Sequence, residues 1–174
     1  MDIKDLAEEL RTRGVQHDLC TAWQKMLLNA RDKETLVKMY LRGIDFCIEN
    51  DYPSVEYMEQ HFKDVCEKFG VFVNEPVDIK NCLKVVTVGC CSEVASYDGY
   101  SVGQVFVKHD SQLDIVADDH ANVTIDCFDN SAVNIKAGGF TTVMIFRYTG
   151  AIVNIVERSG AARVKIVDKG KKTY

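Results

Sequence analysis

From residue 111 to residue 160, apolar and polar positions recur in five consecutive blocks of ten residues. The third and fifth positions of these blocks are apolar: Leu113/Ile115, Val123/Ile125, Val133/Ile135, Val143/Ile145 and Val153/Ile155. The first position is always Ser, Ala or Thr, and the last three positions carry the turn formers Asp, Asn, Gly or Ser in most blocks. Because alternate residues of a strand share one face, each block predicts a short strand followed by a turn.

Two architectures accommodate such an array, a parallel β-solenoid and an antiparallel β-meander. In the solenoid, the Val-x-Ile pairs stack as ladders inside successive coils, whereas in the meander each block is one arm of a hairpin. Residues twenty apart match better than residues ten apart, since Asn134 matches Asn154 and Phe128 matches Tyr148. This spacing favours the solenoid, with about two strands in each coil, and leaves the meander as the alternative.

Further copies flank the five regular blocks. Val164/Ile166 is a sixth copy displaced by one residue, and we interpret Val105/Val107 as an irregular first copy. The repeats are therefore predicted to occupy residues 101–174. Residues 71–100 contain short β-branched segments broken by Pro76 and Gly89, which predict strands that lead into the repeats.

Up to residue 70 the apolar residues recur at helical spacing instead. This segment predicts four helices. Asp18 caps the second, Asp32 caps a third that runs unbroken to Cys47, and the fourth opens at Pro53–Ser54 and ends at Gly70. Short connections favour a compact antiparallel bundle. The fold is therefore predicted to be α+β, with a helical bundle over residues 1–70 and a short parallel β-solenoid of ten-residue repeats after it.

The repeat units "DNSAVNI" and "DDHANVTI" and the helical segment "LVKMYLRGIDFCIENDYPSVEYMEQHF" carry a family resemblance. They resemble the short D-N-S/A-x-V-x-I/A repeats, and the N-terminal segments, of small bacterial and prophage-encoded β-solenoid proteins, which are mostly uncharacterised. The resemblance covers most of the chain and implies a shape, a helical segment followed by a short β-solenoid. Its motifs specify no chemistry, and it carries over no functional residue.

Composition narrows the class of protein. Hydrophobic residues make up 47% and charged residues 27% of the chain, as in ordinary soluble globular proteins. No apolar run reaches the ~20 residues that span a bilayer, and the acidic N-terminal segment does not resemble a signal peptide. The seven cysteines are scattered and odd in number, which favours a reducing compartment. We therefore expect a cytoplasmic protein that does not bind membranes.

The net charge of −5 lies in the first half of the chain. Residues 1–80 carry 11 Lys and Arg against 16 Asp and Glu, whereas residues 81–174 carry 10 of each. Neither half has a basic stripe of the kind that binds phosphate backbones. No nucleic-acid partner is therefore predicted.

The turns contain the residues that come nearest to a metal site: His109, Asp110, Asp118, Asp119, His120 and Asp129. Stacked turns can bring carboxylates together around a cation, but successive turns of a two-strand coil lie on opposite edges, which splits this set. Since Asp and His are also ordinary turn residues, we interpret them as such. Cys90 and Cys91 lack the neighbouring base that a cysteine nucleophile needs. The sequence predicts no catalytic residue, no metal ligand and no cofactor.

The outward positions of the repeats change from polar in the early blocks to apolar in the later ones, where Met144 and Phe146 occur. With Phe128 and Tyr148 nearby, they predict an apolar interaction surface on the later coils, unless the helical bundle folds back and covers them. We therefore expect a non-enzymatic protein-interaction or self-assembly module, whose partner is another protein or a second copy. The alternative is a ligand-binding protein that holds a cation or a glycan along the solenoid turns.

Overall fold

The protein, described here by a computed structural model over residues 2–174, consists of two compact units. A helical unit ends at Phe69, and a β-solenoid unit spans Gly70–Thr173. The predicted α+β fold, with helices first and a parallel β-solenoid second, is confirmed. Within the described residues, no helix is both long enough and apolar enough to cross a membrane.

Over residues 2–69, the helical unit contains five α-helices and one short 3₁₀-helix. They are α1 (Ile3–Val15), α2 (Thr21–Leu28), α3 (Lys33–Arg42), α4 (Ile44–Glu49), α5 (Val55–Cys66) and the 3₁₀-helix Glu67–Phe69. The N-caps of α3 and α5 are those predicted from the sequence. The Asp32 carboxylate accepts a hydrogen bond from Thr35 N at 2.7 Å, and Ser54 Oγ accepts one from Tyr57 N at 3.4 Å.

Two details of the predicted helices are wrong. The third helix is interrupted at Gly43, so that α3 and α4 are separate and the described part of the unit has five α-helices rather than four. Glycine weakens a helix because it gains more freedom than other residues in the unfolded chain. The second helix begins at Thr21 and its N-cap is Cys20, whereas Asp18 has a φ of 61° in the left-handed region outside the helix.

The core of the helical unit follows the apolar stripes of the sequence. Leu6 and Leu10 of α1, Leu36 of α3 and Phe62 of α5 are each at most 4% exposed. The Tyr52 hydroxyl, just before α5, donates a hydrogen bond to Leu10 O at 2.8 Å. This bond satisfies a buried polar group and ties the α4–α5 connection to α1.

Eleven strands wind into the solenoid and form two parallel sheets. The strands are β1 (Val71–Val73), β2 (Pro76–Lys80), β3 (Lys84–Val88), β4 (Ser92–Tyr97), β5 (Val102–Val107), β6 (Gln112–Ala117), β7 (Asn122–Cys127), β8 (Ala132–Ala137), β9 (Thr142–Arg147), β10 (Ile152–Arg158) and β11 (Arg163–Asp168). Odd-numbered strands form a six-stranded sheet and even-numbered strands a five-stranded sheet. Each coil therefore contributes one strand to each sheet, and the parallel pairing rules out the antiparallel meander.

The register of the strands explains the repeat. In the five-stranded sheet, Leu113 pairs with Val133 and Ile115 with Ile135, each pair being twenty residues apart. These four side chains are at most 1% exposed. The Val-x-Ile repeat thus builds ladders of stacked aliphatic side chains between the two sheets, because a single block has too little apolar area to stay folded.

The solenoid begins directly after the helical unit rather than near residue 101. β1 pairs with β3 and β2 with β4, and these strands pair onward with β5 and β6. Residues 71–100 therefore form the first coils instead of separate strands that lead into them. The ten-residue alignment misses the first coil because it is shorter: Val71 pairs with Val86, fifteen residues later. It misses the second because Glu93 stands there at the position of Leu113.

Val105 and Val107, interpreted from the sequence as an irregular first copy, belong to a strand that pairs in register with β7. Val105 pairs with Ile125, so it holds the fifth position and Gly103 holds the third. The Tyr97 ring accounts for the glycine, because a Cβ atom at Gly103 would lie only 2.3 Å from Tyr97 Cε1. A large side chain from one strand thus takes the space that a valine occupies in later coils.

A β-bulge in β10 explains why the sixth copy is displaced by one residue. Ile155 keeps the twenty-residue spacing to its partner in β8, but Glu157 pairs with Lys136 at a spacing of 21, which leaves Val156 as an extra residue. β11 then pairs with β9 at a spacing of 21 residues throughout. The bulge absorbs the insertion and keeps the aliphatic residues on the inner face.

Candidate functional site

The turns of the solenoid stack along two edges. One edge carries the turns that follow the six-stranded sheet, including residues 108–111 and 128–131. The other carries the turns that follow the five-stranded sheet, where Tyr100, His120 and Phe140 occupy equivalent places. We name these three residues the aromatic ridge.

The backbone of the turns places the ridge residues one above another. The residue before each of them lies in the left-handed region: Gly99, Asp119 and Gly139 have φ values of 61°, 57° and 58°. Glycine and aspartate are among the residues that tolerate this conformation. The Asp119 carboxylate also accepts a hydrogen bond from Gly99 N at 3.1 Å, which links two successive turns of this edge.

The rings of the aromatic ridge are stacked and face solvent. The ring centroids of Tyr100 and His120 are 4.7 Å apart with an interplanar angle of 18°, and those of His120 and Phe140 are 5.3 Å apart at 14°. Tyr100 is 83% exposed, Phe140 is 68% exposed, and His120 is also exposed. A continuous stack of exposed rings leaves apolar area uncovered, which is typical of a contact surface.

Two aliphatic side chains extend this apolar surface. Leu83, in the turn between β2 and β3 on the same edge, is 70% exposed, and Val102, at the start of β5, is 58% exposed. Beyond Phe140, the next turn of this edge carries Gly160 and Ala161, which have no ring. Ala161 N donates a hydrogen bond to Gly139 O at 2.7 Å. The stack of rings therefore ends at Phe140.

Carboxylates flank the aromatic ridge. The turns that carry it contain Asp98, Asp118 and Asp119 and no Lys or Arg. Lys80 pairs with Asp98 at 2.6 Å, and its ammonium group, together with the Asn81 amide, holds the pKa of the Asp98 carboxyl below its ordinary value. Asp118 and Asp119 are both exposed, so the surface beside the ridge is negatively charged.

The structure divides the predicted interaction surface. The prediction that Phe128 and Tyr148 are surface residues is wrong, since they are 1% and 2% exposed. Their ring centroids are 4.3 Å apart, on the edge opposite the ridge. The turns of that edge direct both rings inward, where the rings bury their large apolar area. Met144 and Phe146 lie on the outer face of the six-stranded sheet and are partly exposed, with Lys169 Nζ 4.7 Å from the Phe146 ring centroid. An interaction role for these two stays a prediction.

The polar turn residues considered as a cation site are split between the two edges. His109 and Asp129 lie on one edge and Asp119 on the other. His109 Nδ1 accepts a hydrogen bond from Gly89 N at 3.0 Å, and the Asp129 carboxylate accepts one from His109 N at 3.0 Å. These bonds join successive turns, which gives the residues a structural role. Over residues 2–174, no group of three or more His, Cys, Asp or Glu is placed to hold a metal ion.

The cysteines are free thiols in different surroundings. Cys90 is exposed, whereas the neighbouring Cys91 is 2% exposed and donates its S–H to Phe72 O at 3.4 Å. Burial raises the pKa of the Cys127 thiol well above its ordinary value. Cys91 and Cys127 therefore behave as small apolar side chains of the solenoid core.

Sequence reasoning misses the aromatic ridge because it follows the third and fifth positions of each ten-residue block. The ridge residues are the final residues of alternate blocks, twenty residues apart. Reading the sequence at the length of a two-strand coil places Tyr100, His120 and Phe140 in one column and Asp110 and Asn130 in another. That signal is present in the sequence once the coil length is known.

A helical part followed by a parallel β-solenoid is the shape that the resemblance implied. No known protein family matches the chain, and neither a curated protein nor a solved structure matches it. The geometry of the aromatic ridge is therefore what indicates its role.

Proposed function

We propose that this chain is a non-enzymatic protein-interaction module that binds a basic, arginine-bearing segment of a partner protein at the aromatic ridge. The observation that carries the proposal is the stack of exposed rings at 4.7 and 5.3 Å beside exposed carboxylates. Arginine suits both features, because its planar guanidinium stacks on aromatic rings and forms paired hydrogen bonds with carboxylates.

The solenoid supports the ridge as a preformed surface. His120 N donates to Gly99 O at 2.9 Å, and Phe140 N donates to Asp119 O at 2.6 Å, so the backbones of these two ridge residues are each bonded to the preceding turn. A surface that is ordered before binding loses little conformational entropy when the partner arrives. Aromatic and arginine residues at such surfaces supply most of the binding energy in many interfaces.

Fluorescence anisotropy with two labelled peptides of equal length tests the proposal. One peptide is rich in arginine, and the other has glutamate at the same positions. The full chain is expected to bind the arginine peptide and not the glutamate peptide. Phe140→Ala should weaken binding about tenfold, because an aromatic residue in a cation–π contact contributes about 1–2 kcal/mol.

A matched control separates the ridge from general apolar exposure. Ile152 is 54% exposed but follows a turn of the opposite edge, so Ile152→Ala should leave peptide affinity unchanged. Equal affinity of the wild type and a Tyr100→Ala/Phe140→Ala double variant for the arginine peptide would overturn the proposal. Equal binding of the glutamate peptide would overturn the role given to the carboxylates.

A second candidate is self-assembly through the last coil. β10 and β11 are the final strands of their sheets, and Ile155 is 46% exposed although its ladder partner Ile135 is fully buried. A second copy carries the same aliphatic ladder and unpaired strand edges, which pairing would cover. Light scattering during size-exclusion chromatography tests this candidate. A dimer that Ile155→Lys converts to monomer supports it, and a monomer at every concentration contradicts it.

We also propose a cytoplasmic location and kinship with the small bacterial and prophage-encoded β-solenoid proteins that the repeats resemble. Cysteine usage supports the location, because all seven cysteines are free thiols and four of them are buried. A ligand-binding protein that holds a cation or a glycan along the turns stays the alternative prediction. A melting temperature that does not respond to calcium, zinc or a chelator would count against its metal form.

A further inference from the structure

A cleft of about 240 Å³ opens within the helical unit. Its walls are mostly apolar and aromatic, and include Leu10, Trp23, Leu36, Tyr40, Phe46 and Tyr52. An apolar cavity of about 150 Å³ in an otherwise well-packed protein stays dry and admits benzene. The cleft in this unit therefore has room for one aromatic ring or two fused rings.

The aromatic side chains give the cleft flat walls. Phe46 and Tyr52 meet edge to face, with ring centroids 5.7 Å apart and an interplanar angle of 74°. Trp23 is partly exposed, and the Arg42 guanidinium lies 5.8 Å from the centroid of its ring. Flat walls make their largest contact with flat ligands, and apolar pockets with few polar groups are typical of small-molecule sites.

The polar groups of the lining disfavour an anionic ligand. The Tyr52 hydroxyl already donates to Leu10 O at 2.8 Å. The Tyr40 hydroxyl is neutral at physiological pH, and burial raises its pKa further above its ordinary value. Asp18 contributes a carboxylate, and no Lys, Arg or His is among the described residues that line the cleft. An anion placed there would lose its hydration without gaining a positive partner in the lining, since the Arg42 guanidinium lies over the Trp23 ring and is not a lining group.

We propose that this cleft binds a small, uncharged, planar aromatic molecule of one or two rings. The site is built from residues of the helical unit alone, and the aromatic ridge from residues of the solenoid unit. The proposal therefore does not rest on the proposed interaction function, and variants of the two sites are tested separately.

Trp23 makes a direct test possible, because it is the single tryptophan of the chain and lines the cleft. Iodobenzene is the probe, since its heavy atom quenches tryptophan fluorescence at close range. Titration of the full chain with iodobenzene is expected to quench Trp23 fluorescence in a saturable manner. The anionic analogue 4-iodobenzoate should bind at least about tenfold more weakly. Quenching that rises linearly without saturation, or equal binding of both probes, would overturn the proposal.

A cleft-filling variant provides the second arm of the test. A Cβ atom at Gly43 would lie 3.4 Å from Trp23 Cη2, an ordinary contact, and the φ of −102° suits any residue. Gly43→Leu should therefore weaken iodobenzene binding at least about tenfold, whereas the matched control Gly43→Ala should change it less than about threefold. Cys47→Leu fills another wall, and it replaces Gly43→Leu if circular dichroism shows that the latter does not fold. Unchanged binding in a folded cleft-filling variant would also overturn the proposal.

Discussion

Tyr97 and Gly103 form a matched large and small pair inside the solenoid. Tyr97 is 1% exposed and holds the ladder position that Ala117 holds in the next coil, while Gly103 holds the position of Val123. A Cβ atom at Gly103 would lie 2.3 Å from Tyr97 Cε1 and 2.6 Å from Cζ, both closer than real Cβ contacts. Gly103→Val therefore forces the ring or the strand to move.

This substitution is expected to lower the free energy of unfolding by about 2 kcal/mol. Overpacking a core costs about 1–3 kcal/mol, and Tyr97, at 1% exposed, is buried in the core. Valine also restricts the unfolded chain, which offsets about 0.5 kcal/mol of that cost. A loss of about 2 kcal/mol corresponds to a fall in melting temperature of about 8–16 °C for a unit of roughly a hundred residues.

The effect of Gly103→Val should change sign when Tyr97 is small. Tyr97→Ala alone leaves a cavity and is expected to cost about 3–5 kcal/mol. Together the two substitutions reproduce the Ala117/Val123 pair, whose members are 1% and 0% exposed in the next coil. Gly103→Val should therefore destabilise the wild type and stabilise the Tyr97→Ala variant.

Urea unfolding followed by far-ultraviolet circular dichroism measures the four free energies of this double-mutant cycle. The expected coupling energy is about 2 kcal/mol or more in favour of the double variant. Tyr97→Phe is the control, because it keeps the ring and should leave Gly103→Val destabilising. If Gly103→Val has the same effect in the wild type and in Tyr97→Ala, the two side chains do not compete for space and the reasoning is refuted.

The remaining predictions concern the bulge, the two aromatic stacks and alkaline pH. Deletion of the bulged Val156 should lower the free energy of unfolding by less than about 1 kcal/mol, because Val156 is the extra residue of the strand. Deletion of Asn134 should unfold the solenoid, because a one-residue slip turns the ladder side chains outward, and circular dichroism distinguishes the two variants. Phe128→Ala should lower the free energy of unfolding in urea by about 3–5 kcal/mol, because the Phe128 ring is 1% exposed. Phe140→Ala should lower it by less than about 1 kcal/mol, because Phe140 is 68% exposed, and equal losses would contradict the assignment of the two edges. Burial raises the pKa of Tyr57 from 10.0 to about 12, so its contribution to stability is fully present below pH 10 and is lost as the pH rises through 12. Tyr57→Phe should remove this part of the alkaline loss in urea titrations across that range, and an identical alkaline loss in the variant would show that Tyr57 is not its source.

Several parts of the fold are readable from the sequence because they depend on neighbouring residues. The N-caps Asp32 and Ser54 bond to backbone N–H groups only three residues away, so local sequence predicts them. The alternation within each block places Val133 and Ile135 on one face of a strand, and both are fully buried. Repetition then predicts stacking, since one block cannot bury its apolar face alone.

Other parts depend on contacts between residues that the alignment treats separately. The ten-residue pattern does not explain why Gly103 stands at a position that is apolar in the later blocks, because the reason is the ring of Tyr97 on another strand. The pattern also shows that the sixth copy is displaced without showing that a bulge at Val156 absorbs the extra residue. In each case one strand adjusts to a residue of a neighbouring strand, and periodicity along a single strand does not encode such a contact.

The exposure of the aromatic residues in the turns is decided by the tertiary structure and not by the sequence pattern alone. Composition and alternation were enough to predict strands, inward ladders and their parallel stacking, because these follow from short-range pattern and repetition. They were not enough to separate Phe128, which is 1% exposed, from Phe140, which is 68% exposed, since both lie among the last three positions of a block. The stacking of turns twenty residues apart sets the direction of each ring, burying one stack and leaving the aromatic ridge in solvent.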